Sequence, residues 1–130
     1  MKNWTNQELE ALADGWLAEV CAKDRDVEAA TEFHDAVVMM NFTASNDVQW
    51  DFIRIAVAKA KSESELFAVA AGPFEHLMGS HGDAYIDRVE ELATAQLDFR
   101  RMVSGSWQNR MTDDVWARVE AIQAIANQES

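Results

Sequence analysis

Four side chains between residues 75 and 83 are of the types that move protons or hold a divalent cation: Glu75, His76, His81 and Asp83. Carboxylates and imidazoles are zinc ligands and general acids or bases. The two histidines are five residues apart, whereas a shared helix face needs a spacing of three or four. We therefore expect Glu75 and Asp83 to cap helices and His81 to face a helix C-terminus, with no metal site and no cofactor.

Elsewhere the chain contains no motif that indicates catalysis. It has no Gly-rich phosphate loop, no Cys-x-x-Cys, no His-Glu-x-x-His and no nucleophile elbow. Cys21 is the single cysteine, so an intramolecular disulfide is excluded and a small core residue is expected. His34 stands beside Phe33 on an amphipathic segment and is read as a boundary residue. The sequence predicts no catalytic residue and favours a non-catalytic protein over an enzyme.

Arginine is scarce in this chain, which draws attention to Arg88, Arg100 and Arg101. A guanidinium could pair with Glu75 or Asp87 and fix the surrounding helices, or it could receive a carboxylate or phosphate from a partner. Tryptophans could lie in the core or line a groove. The candidate binding residues are Glu75, His81, Asp87, Arg88, Arg100, Arg101 and Trp107.

A helix-turn-helix corner is expected to position these side chains. Gly72 can end one helix and Pro73 suits the first turn of the next. His81 and Gly82 then close this short helix, and Asp83 is placed to cap its successor. Gly72, Pro73, Gly82 and Asp83 are therefore predicted to be structural residues of the corner.

Capping signals and apolar periodicity predict helices along the remaining sequence. The run from Asp47 to Ala58 is apolar around most of its circumference, which indicates a central helix. The other predicted helices start at the Thr5–Glu8 capping box, at Asp26, at the Ser62–Glu65 capping box, after Asp83, before Phe99 and at Thr112.

These elements predict an all-α protein, a compact array of about seven to eight helices in antiparallel hairpins. A closed bundle and a short solenoid-like stack both fit, since Asp47–Trp50 and Asp113–Trp116 are only faintly alike. At 130 residues the chain is expected to form one domain, residues 1–130, with residues 127–130 frayed.

A series of short motifs runs through the C-terminal half: Ala71-Gly-Pro-Phe-Glu-His-Leu-Met78, the His81-Gly82 pair, Ile86-Asp-Arg88, Phe99-Arg-Arg101, Trp107 and Asp114-Val-Trp-Ala-Arg-Val119. In these motifs the chain resembles a family of small bacterial proteins of unknown function. Family members have Leu and Asp where this chain has Phe74 and His76, and an Asp-Pro where it has Leu97-Asp98. The resemblance implies a helical fold and a bacterial origin, and it supplies no reaction.

Charge narrows the classes of partner. The formal net charge of −12 repels phosphate backbones, so direct nucleic-acid binding is not expected. The same charge serves solubility, and it could also steer the protein onto a basic partner. We expect an acidic protein–protein interaction module, with an inhibitor or immunity protein covering a basic surface as one form of it. The alternative is a small-ligand-binding protein or enzyme using the Glu75, His81 and Arg101 region.

The N-terminal residues show no basic-then-apolar signal region, and no stretch approaches the ~18 apolar residues of a membrane span. A cytoplasmic location without membrane contact is therefore expected.

Overall fold

The computed structural model describes residues 3–23 and 32–129. Predictions that concern the side chain of Cys21 and the cap at Asp26 lie outside the described residues. The described residues form helices and no strand, which confirms the all-α prediction. The helices are α1 (Asn6–Lys23), α2 (Glu32–Thr43), α3 (Asn46–Lys59), α4 (Glu63–Val69), α5 (Glu75–Ala95), α6 (Leu97–Ser104) and α7 (Asp113–Gln128), with a π-helical turn (Ala70–Phe74) between α4 and α5. None of them is both long enough and apolar enough to cross a membrane.

Three of the predicted helix caps, at Thr5, Ser62 and Thr112, are present as hydrogen bonds. At the start of α1 the Glu8 amide donates to Thr5 Oγ1 at 3.1 Å, and the Thr5 amide donates to the Glu8 carboxylate at 3.2 Å. At the start of α4 the Glu65 amide donates to Ser62 Oγ at 3.2 Å. Thr112 caps α7 in the same way. These side chains satisfy amides that the first turn of a helix leaves without a partner.

Helix α3 lies at the centre of the core, as its apolar circumference predicted. Its side chains Trp50, Phe52, Ile53, Ala56 and Val57 are all buried. It contacts α1, α4, the π turn, α5 and α6. A solenoid repeat would contact only its sequence neighbours, whereas this helix contacts elements that range from α1 to α6. The described helices therefore surround a shared core.

A continuous helical path joins α4 to α5, where the sequence predicts a break. Gly72 does not end a helix: no glycine among the described residues has a positive φ, and Pro73 lies inside the π turn. The Glu75 amide donates to the carbonyl of Ala70, five residues back. Proline lacks the N–H that an α-helix would use at this point, and a widened turn accommodates its ring. The described chain thus has six separate helices where seven or eight were predicted.

The second predicted junction is a sharp kink within α5. His81 has non-helical backbone angles, φ −140° and ψ 31°, and helical residues flank it on both sides. Gly82 is buried there, and a Cβ atom at this position would lie 2.9 Å from Val115 Cγ1 of α7. Glycine at residue 82 therefore permits the close approach of α5 and α7. Asp83 follows the kink and is exposed. It lies inside α5, and no side-chain hydrogen bond among the described residues shows the predicted cap.

Candidate functional site

Glu75 is a buried carboxylate at the start of α5, with a relative exposure of 7%. Its Oε2 accepts a hydrogen bond from the Trp107 amide at 3.0 Å, and its Oε1 accepts one from the side-chain amide of Asn109. Burial raises the pKa of the Glu75 carboxyl, while these two hydrogen bonds act in the opposite direction. Glu75 lies in the first turn of α5, as the sequence predicts, but its carboxylate bonds the loop between α6 and α7 and does not cap the helix.

The conformation of that loop presents Asn109 to the carboxylate. Asn109 has φ 45°, and no other non-glycine residue of the described chain has a positive φ. Asparagine tolerates this left-handed region better than most residues. Gln108 fixes the next part of the loop by donating to the Met111 carbonyl at 3.2 Å and to Asp113 Oδ1 at 2.9 Å. The Glu75 contact is therefore made by an ordered turn.

Glu75 lies in the wall of a surface pocket of about 560 Å³, which we call the Glu75 pocket. The size is within the range typical of ligand and side-chain binding clefts. Its walls come from α2, from the π turn with the first part of α5, and from the α6–α7 loop. The lining residues are Val38, Asn41, Phe42, Ala71, Gly72, Glu75, His76, Gly79, Ser80, Asn109 and Arg110.

His76 fixes the α2 side of this pocket. Its Nε2 lies 2.9 Å from the backbone carbonyl of Asn41, and since a carbonyl oxygen only accepts, Nε2 is the donor. The ring of Phe42 meets the His76 ring edge-on at 5.0 Å between centroids. The imidazole thus holds the end of α2 against α5. The sequence considered His76 only as a metal ligand or a proton-transfer group.

The pocket wall contains one buried acceptor without a hydrogen-bond partner and one buried carboxylate that is hydrogen-bonded but has no cationic partner among the described residues. The side-chain oxygen Oδ1 of Asn41 is buried and accepts no hydrogen bond in the described structure. Among the described residues no Lys, Arg or His nitrogen pairs with the Glu75 carboxylate. Buried charges are usually paired, and buried polar groups are usually hydrogen-bonded. The pocket wall can therefore accept further hydrogen bonds, at Asn41 Oδ1 and at the Glu75 carboxylate.

The other predicted binding residues lie outside this pocket. His81 and Asp83 line a smaller pocket of about 270 Å³ at the kink of α5. Arg101 lines a third pocket of about 570 Å³ that also contains Lys61. The structure therefore does not bring Glu75, His81 and Arg101 into one pocket.

Ion pairs engage most of the remaining candidates. Arg100 donates to both carboxylate oxygens of Glu129, at 2.6 and 2.8 Å, and so joins α6 to the end of α7. This contact raises the pKa of Arg100 and lowers that of Glu129. Arg88 lies 3.6 Å from Asp47, so it does not form the suggested pair with Glu75 or Asp87.

Arg118, which the sequence did not single out, is the partner of Asp87. It donates to Asp87 Oδ1 at 2.6 Å and to both oxygens of Glu90, joining α7 to α5. The pair lowers the pKa of Glu90 and raises that of Arg118. Arg100 and Arg118, both half-buried, hold helices together.

Sequence analysis missed five residues of the Glu75 pocket: Val38, Asn41, Phe42, Asn109 and Arg110. Of these residues, only Phe42 could have been found from the sequence. It is a large apolar residue near the end of a predicted amphipathic helix, and it lies outside the apolar face assigned to that helix. The others are placed by the α6–α7 loop and by contacts between α2 and α5. In the described part of the chain no group of three or more His, Cys, Asp or Glu side chains is arranged to hold a metal ion.

Comparison with known proteins gives one match. The model of a family described as a family of unknown function (DUF6869) matches residues 21–127. This range extends well beyond the C-terminal half in which the sequence motifs lie. No curated protein and no solved structure matches the chain.

Proposed function

The chain belongs to DUF6869, a family of unknown function, and from its surface we propose that it is a non-catalytic, acidic module that binds a partner protein. The observation that carries the proposal is an exposed apolar surface at the mouth of the Glu75 pocket.

Three side chains of α2 form this surface, which we call the apolar rim: Val38, Met39 and Phe42. Met39 is 60% exposed and Phe42 is 74% exposed. Val38 and Phe42 are one helical turn apart and both line the Glu75 pocket. Apolar side chains that cluster beside a polar cleft are typical of protein-binding surfaces.

Trp107 is a second exposed aromatic side chain, on the α6–α7 loop whose backbone contacts Glu75. It is 74% exposed, and its backbone amide is held by Glu75. A large ring on an ordered loop loses little conformational entropy on binding, and tryptophan is enriched among residues that dominate interface energies. Trp107 and Phe42 are therefore the anchors that we assign to the interface.

Charge supports a basic partner. The formal net charge is −12, and a field of one sign raises the encounter rate with a protein of opposite charge. An inhibitor or immunity protein that covers the basic surface of a toxin or nuclease is the specific form that we propose.

The proposal is tested by affinity capture from a lysate of the native host, at about 50 mM and about 500 mM salt. We expect one stoichiometric basic protein at low salt and its loss at high salt, because exposed charges are screened within about 4 Å at the higher concentration. Size-exclusion of the purified pair gives the stoichiometry. A chain that captures no specific protein at either concentration contradicts the proposal.

A second candidate is a small-ligand-binding protein or enzyme. It is supported by the convergence of Glu75, His76 and Arg110 in one pocket of about 560 Å³. Binding of a metabolite would raise the melting temperature of the wild-type chain. If a metabolite panel gives a shift that Glu75→Gln abolishes, this candidate replaces the interaction module.

A further inference from the structure

The Glu75 pocket combines three features that favour a cation. Its wall contains the Glu75 carboxylate, which no cationic nitrogen of the described residues neutralises, and the side-chain oxygen of Asn41, which accepts no hydrogen bond there. Both residues are at least nine-tenths buried, with exposures of 7% and 9%. The exposed ring of Phe42 stands at the mouth, and aromatic faces attract cations.

We infer that the Glu75 pocket receives an arginine side chain of the partner protein. The guanidinium binds the free lone pairs of the Glu75 carboxylate and stacks on Phe42, and Asn41 Oδ1 takes up a further N–H donor. The inference rests on the proposed function for the source of the arginine, and it names the contact that orients the partner.

Arginine fits this pocket better than lysine does. Its planar group offers five N–H donors, it is more weakly hydrated than an ammonium, and it stacks on aromatic rings. Each Glu75 oxygen already accepts one hydrogen bond, from Trp107 or Asn109, and a carboxylate has about four lone-pair sites in all. A fork of parallel donors can therefore be added without displacing the loop.

Arg110 is the lining residue that opposes this assignment, and its exposure reduces its effect. Among the described residues of the wall it alone carries a fixed positive charge, and it is exposed. Glu75 is buried. Water screens an exposed charge strongly and a buried one much less. The electrostatic potential inside the pocket is therefore negative and is set mainly by the Glu75 carboxylate.

The test measures binding of a blocked arginine, N-acetyl-arginine methylamide, to the purified protein by amide chemical shifts. The matched ligand is the citrulline counterpart, which has nearly the same shape and no charge. We expect saturable shifts at the Trp107 amide and at the Asn109 side-chain amide with arginine and none with citrulline. Equal shifts with the two ligands overturn the inference.

Matched variants locate the binding site. Glu75→Gln keeps the size and an acceptor oxygen, and it should weaken arginine binding at least about tenfold, because a hydrogen bond to a charged group is lost. Glu65→Gln is the control, since Glu65 is equally buried but belongs to the cap of α4. Equal affinity of wild type and Glu75→Gln overturns the inference. If Glu75→Gln fails to fold, Phe42→Ala serves instead, with an expected weakening of about two- to fivefold.

The blocked lysine ligand separates the two basic side chains. An affinity equal to that of blocked arginine contradicts the choice of arginine. Failure of this inference is also distinguishable from failure of the proposed function. A basic partner that binds wild type and Glu75→Gln equally well leaves the interaction module in place and removes the arginine contact. Conversely, if blocked arginine binds but no partner is captured, the arginine site stands and the proposed interaction module is contradicted.

Discussion

At the scale of single residues, the sequence identified Glu75 but could not give its role. A glutamate two residues after a proline is typical of a first helical turn, so a helix-capping role was the prediction. Burial of the side chain depends on the α6–α7 loop, whose Asn109 is more than 30 residues away in the sequence. Capping and periodicity patterns relate residues only a few positions apart, so they cannot predict this contact. The same limit explains why Asn41, Asn109 and Arg110 were missed.

Glu75→Ala should destabilise the protein by about 1–3 kcal/mol, because the Trp107 amide and the Asn109 side chain lose their acceptor. Glu91→Ala, at an exposed position of the same helix, should stay within about 0.5 kcal/mol of wild type. Urea unfolding of the three proteins measures both differences. Equal stabilities would show that Glu75 does not hold the loop.

The pH dependence of stability should also carry the signature of Glu75. Burial raises its pKa in the folded state, so the folded chain binds this proton more tightly than the unfolded chain. Its stabilising contribution is then fully present below the unfolded pKa of about 4.3 and is lost as the pH rises through the folded pKa. We expect the stability of wild type relative to Glu75→Gln to be greater at pH 4 than at pH 7. A difference that grows with pH would contradict the assignment.

At the scale of elements, the sequence predicted where helices form and how they are capped. It did not predict that α4 continues into α5 without a break. Capping boxes at Thr5 and Ser62 depend on residues three apart, and both formed as predicted. The Gly72-Pro73 pair was predicted to separate two helices, because a glycine commonly follows the end of a helix. The π turn retains the helical path because neighbouring helices bury its residues Ala70, Pro73 and Phe74, an interaction that local sequence does not contain.

Replacement of Gly72 and of Gly82 by alanine should have opposite effects on stability. A Cβ at residue 82 would press on Val115 at 2.9 Å, whereas a Cβ at residue 72 has no atom within 4 Å. Gly82→Ala should cost about 1–3 kcal/mol through overpacking. Gly72→Ala should be neutral or stabilise by up to about 1 kcal/mol, because alanine restricts the unfolded chain. Thermal unfolding of both variants tests the pair, and a Gly72→Ala variant less stable than Gly82→Ala would contradict it.

The contact between α3 and α5 can be followed through Tyr85, the single tyrosine of the chain. Burial and the 2.5 Å hydrogen bond to Asp47 raise the pKa of Tyr85 to about 12. A raised acid pKa means that this stabilising contribution is present below pH ~10 and is lost as the pH rises toward the folded value.

Absorbance of tyrosinate near 295 nm reports this single group. We expect a midpoint near pH 12 in the folded protein and near pH ~10 in denaturant. Asp47→Asn should lower the folded midpoint, since it removes the second-largest cause of the shift, while Asp83→Asn on the same helix should not. A folded midpoint equal to that in denaturant would show that Tyr85 is not held as described.

At the scale of the whole molecule, capping signals and apolar periodicity predicted the fold class and a central α3, and net charge suggested a class of partner. Where that partner would bind could not be predicted, because the apolar rim of α2 and the Glu75 pocket meet only in the folded protein. Val38 and Phe42 are one turn apart on their helix, but the rest of the wall comes from α5 and the α6–α7 loop. The proposed interface is thus a property of the tertiary structure.

The most direct test of this interface is a comparison of two exposed apolar residues in the capture experiment. Phe42→Ala removes a ring at the mouth of the Glu75 pocket, and Ile125→Ala removes a side chain that is 55% exposed in a different pocket on α7. We expect Phe42→Ala to weaken binding of the partner at least about tenfold, as an aromatic anchor would, and Ile125→Ala to bind as wild type does. Equal binding by the two variants, or a loss confined to Ile125→Ala, would contradict the assignment of this surface.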